Sequence, residues 1–376
     1  MEIHVHASLS EITESDWNAL LRPEDTPFLD HRFLYGLELT HCVGERAGWI
    51  PHHLAFRDEG RLVAAAPAYV KTNSEGEFVF DWGWAEASER AGIPYYPKLV
   101  VAVPFTPATG SRLLVADGVD RALLLRTFAR GLQQLFEAET FLSSVHVLFT
   151  DEETTRAFAD EGYLVRFGLQ YHFRNPGFGD FEDFLATLPT KKRTQIRRER
   201  RRPGEEGIVI RTLQPAELTS EIARTMHAIY LTTVDKFAWG RRYLNAKFFA
   251  HLAAHFPEPQ RWVVAEREGA IIAGAVNVTG NRVLYGRYWG AFEEHPFLHF
   301  ATCYYHGIEE CILHKNHTFE PGAGGEHKRP RGFDPAKTHS VHLLRDPRLA
   351  RAVEEFVSRE RTAIERLLAQ DREEQG

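Results

Sequence analysis

The chain has 376 residues, 43% apolar and 26% charged, with 28 Gly and 19 Pro, an ordinary globular composition that excludes disordered, collagenous and disulfide-scaffold classes. At ~100–200 residues per domain the length points to two domains, and three scattered cysteines, Cys42, Cys303 and Cys311, supply neither a disulfide framework nor a thiolate metal site. A net charge of −7, taken as evenly spread, argues against a nucleic-acid partner.

In chain order, residues 1–6 lack a basic region followed by an apolar stretch, and no window reaches the ~18–20 apolar residues that span a bilayer. A cytoplasmic location and no membrane insertion are therefore expected. Residues 12–21 read as a first helix. Residues 55–66 read as a strand, a turn at Gly60 and a second strand of small residues, and residues 80–84, Phe-Asp-Trp-Gly-Trp, as a third strand closing an antiparallel meander. A helix over 121–139 places Leu124, Leu125, Phe128, Leu132, Leu135 and Phe136 on one stripe, and a strand over 145–149 follows.

The second half repeats this order. A helix over 218–234 precedes a hairpin over 265–275, one residue shorter in its turn, and a third strand over 284–290 that again carries Trp-Gly. Gly280-Asn281 makes the tight connection before that strand. A helix over 300–314 and a strand near Phe319 complete the repeat. The chain is thus expected to be an α+β tandem duplication joined near 168–181, with domains at 1–168 and 169–345. A tail helix over 346–376, with Leu349, Val353, Phe356 and Val357 at helical spacing, is expected to dock on the second domain.

Charge is strongly segregated. Residues 191–202 carry Lys191, Lys192, Arg193, Arg197, Arg198, Arg200, Arg201 and Arg202 against Glu199, a charge of +7 that leaves −14 on the rest. Thr190 after Pro189 reads as an N-cap and Pro203-Gly204 as the stop of a helix over 190–202. Only Ile196 offers an apolar anchor, and Arg193 with Arg197 and Arg197 with Arg201 repel at i,i+4. Such a segment gains most from a phosphate-bearing ligand: a nucleotide, a coenzyme or RNA. The inference from net charge is thereby reversed.

Residues 319–333 interleave Gly322, Gly324, Gly325 and Gly332 with Glu320, Glu326, His327, Lys328, Arg329 and Arg331, a mixture suited to a site at a strand end. It is neither a P-loop nor a dinucleotide fingerprint, and no His-Glu-x-x-His or Gly-x-Ser-x-Gly occurs, so neither a metal nor a serine nucleophile is expected. On the strand over 284–290, Tyr285, Arg287 and Trp289 are expected on one face and Tyr288 on the other, followed by His299, Tyr304, Tyr305 and His306. An arginine on such a face demands an anionic partner or a ligand, so the face is expected to line a cleft.

The basic run from Lys191 to Arg201, then Trp239-Gly240-Arg241-Arg242-Tyr243-Leu244, Leu284-Tyr285-Gly286-Arg287-Tyr288-Trp289-Gly290, Leu298-His299-Phe300 and Gly325-Glu326-His327-Lys328-x-x-Arg331-Gly332-Phe333 resemble the FemAB-like branch of the GNAT acyltransferase superfamily, whose members are often labelled peptidoglycan biosynthesis or recognition proteins. The resemblance covers almost the whole chain. It implies two tandem GNAT-like domains, each a mixed, mainly antiparallel sheet flanked by helices. Fem-type relatives move an aminoacyl group from aminoacyl-tRNA to the amine of a cell-wall precursor, whereas other GNAT enzymes use acyl-CoA, holding its pyrophosphate on a Gln/Arg-x-x-Gly-x-Gly/Ala loop.

Residues 290–299 stand where that loop would be and lack it, and Glu293 and Glu294 there are expected to repel a pyrophosphate. The resemblance therefore favours aminoacyl-tRNA as donor and an amine of a small molecule or peptide, such as a cell-wall precursor, as acceptor, with no tightly bound cofactor. An acetyl-CoA-dependent N-acetyltransferase is the alternative, and a non-catalytic module recognising muropeptide or RNA the second. Acyl transfer to an amine needs a base and donors for an oxyanion. Glu326 or His327 is expected to assist proton removal, and Lys328 or Arg331 to stabilise oxyanion or phosphate charge. Fem-type enzymes carry a Lys near a Gly-Phe pair, as Lys328 precedes Gly332-Phe333 here. Lys191, Arg193, Arg197 and Arg198 are assigned to anion binding, Tyr285, Arg287, Tyr288 and Trp289 to the acceptor cleft, and His299 and Tyr305 to substrate binding.

Overall fold

Two β-hairpins closed by Glu-Gly turns organise the structure, a computed structural model that describes residues 2–236 and 240–375. The chain divides into two units, residues 1–169 with 337–376, and residues 170–336. The first stretch holds β1 (Glu2–His6), α1 (Glu14–Asn18), α2 (His31–Leu39), β2 (Trp49–Pro51), β3 (His53–Asp58), β4 (Arg61–Ala66), β5 (Ala68–Lys71), α3 (Trp82–Arg90), β6 (Lys98–Val101), β7 (Leu114–Val115), α4 (Arg121–Ala138), β8 (Ser144–Leu148), α5 (Glu152–Asp160) and the start of β9 (Leu164–Arg174). β3 and β4 pair antiparallel around Glu59 and Gly60, both at positive φ, the conformation that matches strand twist in a two-residue hairpin. β5 then pairs antiparallel with β6, and β6 parallel with β8. The apolar stripe of α4, with Leu124, Leu125, Phe128 and Leu132, is buried against Leu54, Phe56, Val145 and Val147, at roughly 1.5–3 kcal/mol for each large side chain.

The second unit holds the end of β9, α6 (Phe181–Ala186), α7 (Thr190–Glu205), β10 (Val209–Thr212), α8 (Ser220–Val234), α9 (Ala246–His255), β11 (Gln260–Arg267), β12 (Ala270–Gly280), β13 (Val283–Ala291), α10 (Leu298–Phe300), α11 (His306–Leu313) and β14 (Thr318–Glu320). Its strand order is β10-β11-β12-β13-β14-β9, antiparallel except for the β13–β14 pair. The duplication is therefore visible in the pairing. A hairpin, a third antiparallel strand, a helix and a parallel strand occur as β3 to β5, β6, α4 and β8, and again as β11, β12, β13, α11 and β14.

Two expectations about the repeat are corrected. The third strand of the first unit is β6, not residues 80–84. Ala85-Glu86-Ala87-Ser88-Glu89-Arg90 is helix-forming, and α3 starts at Trp82 and buries Trp84 and Ser88 one turn apart. The Trp-Gly coincidence thus falls in an insertion between β5 and β6. Nor is the second turn shorter: Glu268 and Gly269 form the same two-residue turn.

β15 (Asp334–Leu344) and α12 (Pro347–Gln375) return the chain to the first unit. Ser340 to Leu344 of β15 pair with β8, so the second unit ends at residue 336 rather than 345. The tail helix, expected on the second domain, buries Leu349, Val353 and Val357 against Trp84, Ile93 and Tyr95 of the first unit. Arg166 fixes its register by donating to both Glu360 carboxylate oxygens at 2.7 and 3.0 Å. No helix among the described residues is long and apolar enough to cross a membrane.

Candidate active site

The basic helix α7 runs further than its composition implies. Pro189 is the N-cap, Thr190 the first helical residue, and the helix passes through Pro203 to Glu205. Pro203 is buried, its carbonyl accepts the Glu206 N–H at 3.0 Å, and Arg201 and Arg202 pair with Glu205 and Glu206 beyond it. The buried stripe is Ile196, Glu199 and Pro203, at i, i+3 and i+7.

Glu199 is 2% exposed. Its carboxylate accepts from Arg331 Nε and Nη2 at 3.2 and 3.3 Å, from Gln195 Nε2 at 2.8 Å and from the Tyr305 hydroxyl. A buried charge is tolerated when paired and fully hydrogen-bonded, and removing one partner leaves the other uncompensated. Arg331 also donates to the His327 carbonyl at 2.7 Å and lies 3.5 Å from the Phe300 ring centroid. This network fastens α7 to the glycine-rich loop.

That loop contains a short 3-10 helix, Glu326–Arg331, between Gly325 at φ 94° and Gly332 at φ 86°. A Cβ on Gly325 would meet the His327 ring at 2.8 Å, so glycine serves both conformation and space. Lys328 is 3% exposed, and its Nζ donates to the carbonyls of Gly322 at 2.8 Å and Gly324 at 2.7 Å, with Ala323 at 3.4 Å. Burial pulls the ammonium down to about 8, and burial pushes the nearby Cys303 thiol well up, so it stays neutral beside the ammonium. The ammonium is charged at neutral pH.

His327 is exposed, with Nε2 2.8 Å from the Tyr304 hydroxyl. Burial, then Lys328 and Arg331, hold its imidazole below the ordinary range, so it is neutral at pH 7 and able to accept a proton. Glu326 is exposed and has no hydrogen-bond partner among the described residues. His299 packs on Trp289 and Tyr304, with ring centroids at 5.1 and 5.2 Å, and is driven down to about 4 by burial and then by His327, Arg331 and Lys328. Residues Ala301–Tyr305 form a π-helical turn between α10 and α11, which brings Cys303, Tyr304 and Tyr305 into this cluster. Lys328, His327, Tyr304, His299 and Arg331 therefore stand together.

Other expected residues lie elsewhere. On α7, Arg197 is paired with Glu182 at 2.5 Å and Arg200 with Glu309. Lys191, Lys192, Arg193 and Arg198 have no acidic partner among the described residues. At 100° per residue Lys191 and Arg198 share one edge of the helix while Arg193 and Arg197 share the other, so the four candidates form no single anion-binding face. Arg198 lies 5.7 Å from the Phe297 ring centroid, on its own edge.

The expected cleft face of β13 is broken by a β-bulge. Val276 pairs with Tyr288 and Asn277 with Gly286, leaving Arg287 as the extra residue, and a bulge shifts every later side chain to the opposite face. Tyr285 and Tyr288 consequently share one face, Tyr288 against Tyr230 of α8 at 5.2 Å, while Trp289 points to His299. Tyr285 and Tyr305 are buried at 2% and 0% exposure, and the Tyr305 hydroxyl is committed to Glu199. Arg287 is half-buried, and burial lowers its guanidinium against the pull of Tyr288 and Glu320. Glu320 is the one acid among the groups that pull on it.

The segment 290–299 also differs from expectation. Glu293 pairs with Arg267 at 2.8 Å and Glu294 with Lys236 at 3.0 Å, so both charges are compensated. Trp239, in a motif quoted above, lies outside the described residues. Among the described residues no group of three or more His, Cys, Asp or Glu is placed to hold a metal ion. Sequence reasoning named Tyr304 without a role and passed over Glu199. The signal for Glu199 was its place on the stripe with Ile196 and Pro203, the one acid in a run of cations.

The profile of the FemAB-like family, described as peptidoglycan biosynthesis/recognition, matches residues 8–375. Among solved structures the chain is similar to FemX, with 11% identity over 94% of this chain and 100% of that one and a TM-score of 0.55. It is similar to L-PGS from Bacillus licheniformis, with 13% identity over 90% and 97% and a TM-score of 0.53. A conserved protein of unknown function from Bacteroides thetaiotaomicron gives 13% identity over 92% and 100%, with a TM-score of 0.53. These likenesses establish the fold. No curated protein matches the chain.

Proposed function

The chain belongs to the FemAB-like family, and from that membership and the cluster around Lys328 we propose that it transfers an aminoacyl group from aminoacyl-tRNA to an amine acceptor, a cell-wall precursor. The observation that carries the reading is a charged lysine buried against backbone carbonyls beside a neutral histidine. Attack of an amine on an ester carbonyl forms a C–N bond and places negative charge on the carbonyl oxygen, which a preorganised ammonium stabilises. Lys328 supplies that ammonium. The attacking amine must also lose a proton, and collapse of the intermediate breaks the ester C–O bond so that the tRNA ribose oxygen leaves and takes up a proton as the hydroxyl. The Tyr304 hydroxyl holds His327 at Nε2, and in the tautomer that donates Nε2–H to the Tyr304 oxygen the Nδ1 lone pair takes the amine proton. Glu326, exposed and unheld, is the poorer candidate, and Arg331 acts through Glu199 as a strut. Lys191 and Arg198, on one edge of α7, receive donor phosphate.

Transfer from acetyl-CoA is the second reading, favoured by the cations beside Glu293 and Glu294, which weaken the repulsion expected of the segment 290–299. Incubation of the protein with labelled aminoacyl-tRNA and labelled acetyl-CoA in parallel, with a cell extract as acceptor source, separates the two. Label passing to an amine product from aminoacyl-tRNA supports the proposal. Label passing from acetyl-CoA alone supports the second reading, and saturable donor binding without transfer from either supports a recognition module.

A further inference from the structure

The insertion between β5 and β6 has no part in the acyl-transfer chemistry, yet it contains a cavity of about 580 Å³ lined by Trp82, Glu86 and Glu89 of α3 together with Ile93, Tyr95 and Tyr96. Trp82 is 50% exposed and its near neighbour Phe80 64%. Large aromatic side chains left in water beside a cavity mark a surface that is covered by something else.

The tyrosines are fixed from behind. The Tyr95 hydroxyl donates to Asp81 at 2.6 Å and the Tyr96 hydroxyl lies 2.7 Å from Ser74 Oγ. Both rings cover a fully buried ammonium, that of Lys98, at 5.2 and 5.7 Å from their centroids, and Lys98 donates to Glu77 at 2.9 Å and to Asp81. One acceptor oxygen on each carboxylate, Glu77 Oε1 and Asp81 Oδ1, is buried without a hydrogen-bond partner. The other buried lysine nearby, Lys71, donates to Asn73 Oδ1 and to the Glu75 carbonyl. The Tyr95 phenol is backed by a carboxylate, which enriches its ring, and one ammonium, that of Lys98, already lies against both tyrosine rings.

The cavity itself is acidic. Glu86 has only an exposed ion pair with Arg90 at 3.3 Å, of little worth in water, and Glu89 has no cationic partner among the described residues. An anion would be repelled, whereas a cation gains the attraction of Glu86 and Glu89. We propose that this cavity binds an organic ammonium of the lysine-side-chain or polyamine class, held by the aromatic side chains of Trp82 and Tyr96 and the carboxylate of Glu89. The site lies wholly within the first unit and stands whether or not the second unit transfers acyl groups.

Calorimetric titration of the full chain with cadaverine, with Nα-acetyl-lysine methylamide and with the neutral analogue pentanediol tests it. At least one ammonium compound is expected to bind where pentanediol does not, the tighter of the two telling a polyamine from a peptide lysine. Trp82→Ala and Glu89→Gln are each expected to weaken that binding about three- to tenfold without changing the melting temperature, since both side chains are exposed. Pentanediol binding as tightly as the ammonium compounds, no binding of either ammonium compound, or variants that bind like the wild type would overturn the proposal.

Discussion

A lysine ammonium enclosed by backbone carbonyls is costly to desolvate, and Lys328 keeps its charge only because Gly322 and Gly324 turn their oxygens toward it. With its pKa near 8, the ammonium is present below that pH and lost above it. If it stabilises the oxyanion, the pH profile of turnover has an alkaline limb near pH 8, because the charged form is the active one. Lys328→Arg, which stays charged, is expected to move that limb upward while lowering the rate. A profile that keeps rising through pH 8 in the wild type would remove the lysine from the chemistry. The importance of Lys328 was legible because glycines and charges seldom alternate at a strand end. Glu199 was hidden, since among eight cations a lone acid reads as dilution until the helix stripe with Ile196 and Pro203 is traced. The partner that makes sense of it, Arg331, lies 132 residues away.

At the scale of elements, α7 divides its charge between two edges. Charge reversal at Lys191 and Arg198 together is expected to weaken donor binding and flatten its salt dependence. Reversal at Arg197, already neutralised by Glu182, is expected to do little. Equal effects from the two changes, measured by filter binding at several salt concentrations, would show that the whole helix acts as one cationic surface. The β13 bulge was illegible for a related reason. Alternation reads a strand as regular, and the extra residue is visible only in the pairing with β12.

The β8–β15 pair carries a second element-scale consequence. His146 and His342 face each other across it with Nδ1 atoms 2.6 Å apart, each ring also 2.8 Å from a serine hydroxyl. One ring must then carry its proton on Nδ1 and the other on Nε2, both neutral. Burial, followed by Lys98 and Arg166 for His146 and by His146 and Arg166 for His342, holds both well below the ordinary value. The unfolded chain takes up protons near pH ~6.5 and the folded pair does not, so stability is complete above that pH and is lost as pH falls below it. The slope is at most about 1.4 kcal/mol per pH unit for each histidine. Urea midpoints are expected to fall between about pH 7 and about pH 5, less steeply in the double variant His146→Gln, His342→Gln. A midpoint equally flat in both proteins would contradict the pairing.

At the scale of the whole molecule, duplication and charge segregation were the legible features, because each repeats or concentrates a local signal. The hairpin turns, the α4 stripe and the strand after it recur at matching places in both units. What stayed hidden was long-range: that residues 72–97 are an insertion, and that β15 and α12 belong with the first unit. No local periodicity records which surface a strand or helix returns to. Lys328, His327 and the free edge of α7 all belong to the second unit. Acyl transfer from a phosphate-bearing donor is thus assigned to one half of a duplicated chain, with Lys328 at the carbonyl. Single-turnover transfer from labelled aminoacyl-tRNA, compared between the wild type and Lys328→Met, tests that assignment most directly. The variant is expected to transfer roughly 10²–10³-fold more slowly at unchanged tRNA affinity, whereas transfer at the wild-type rate would contradict it.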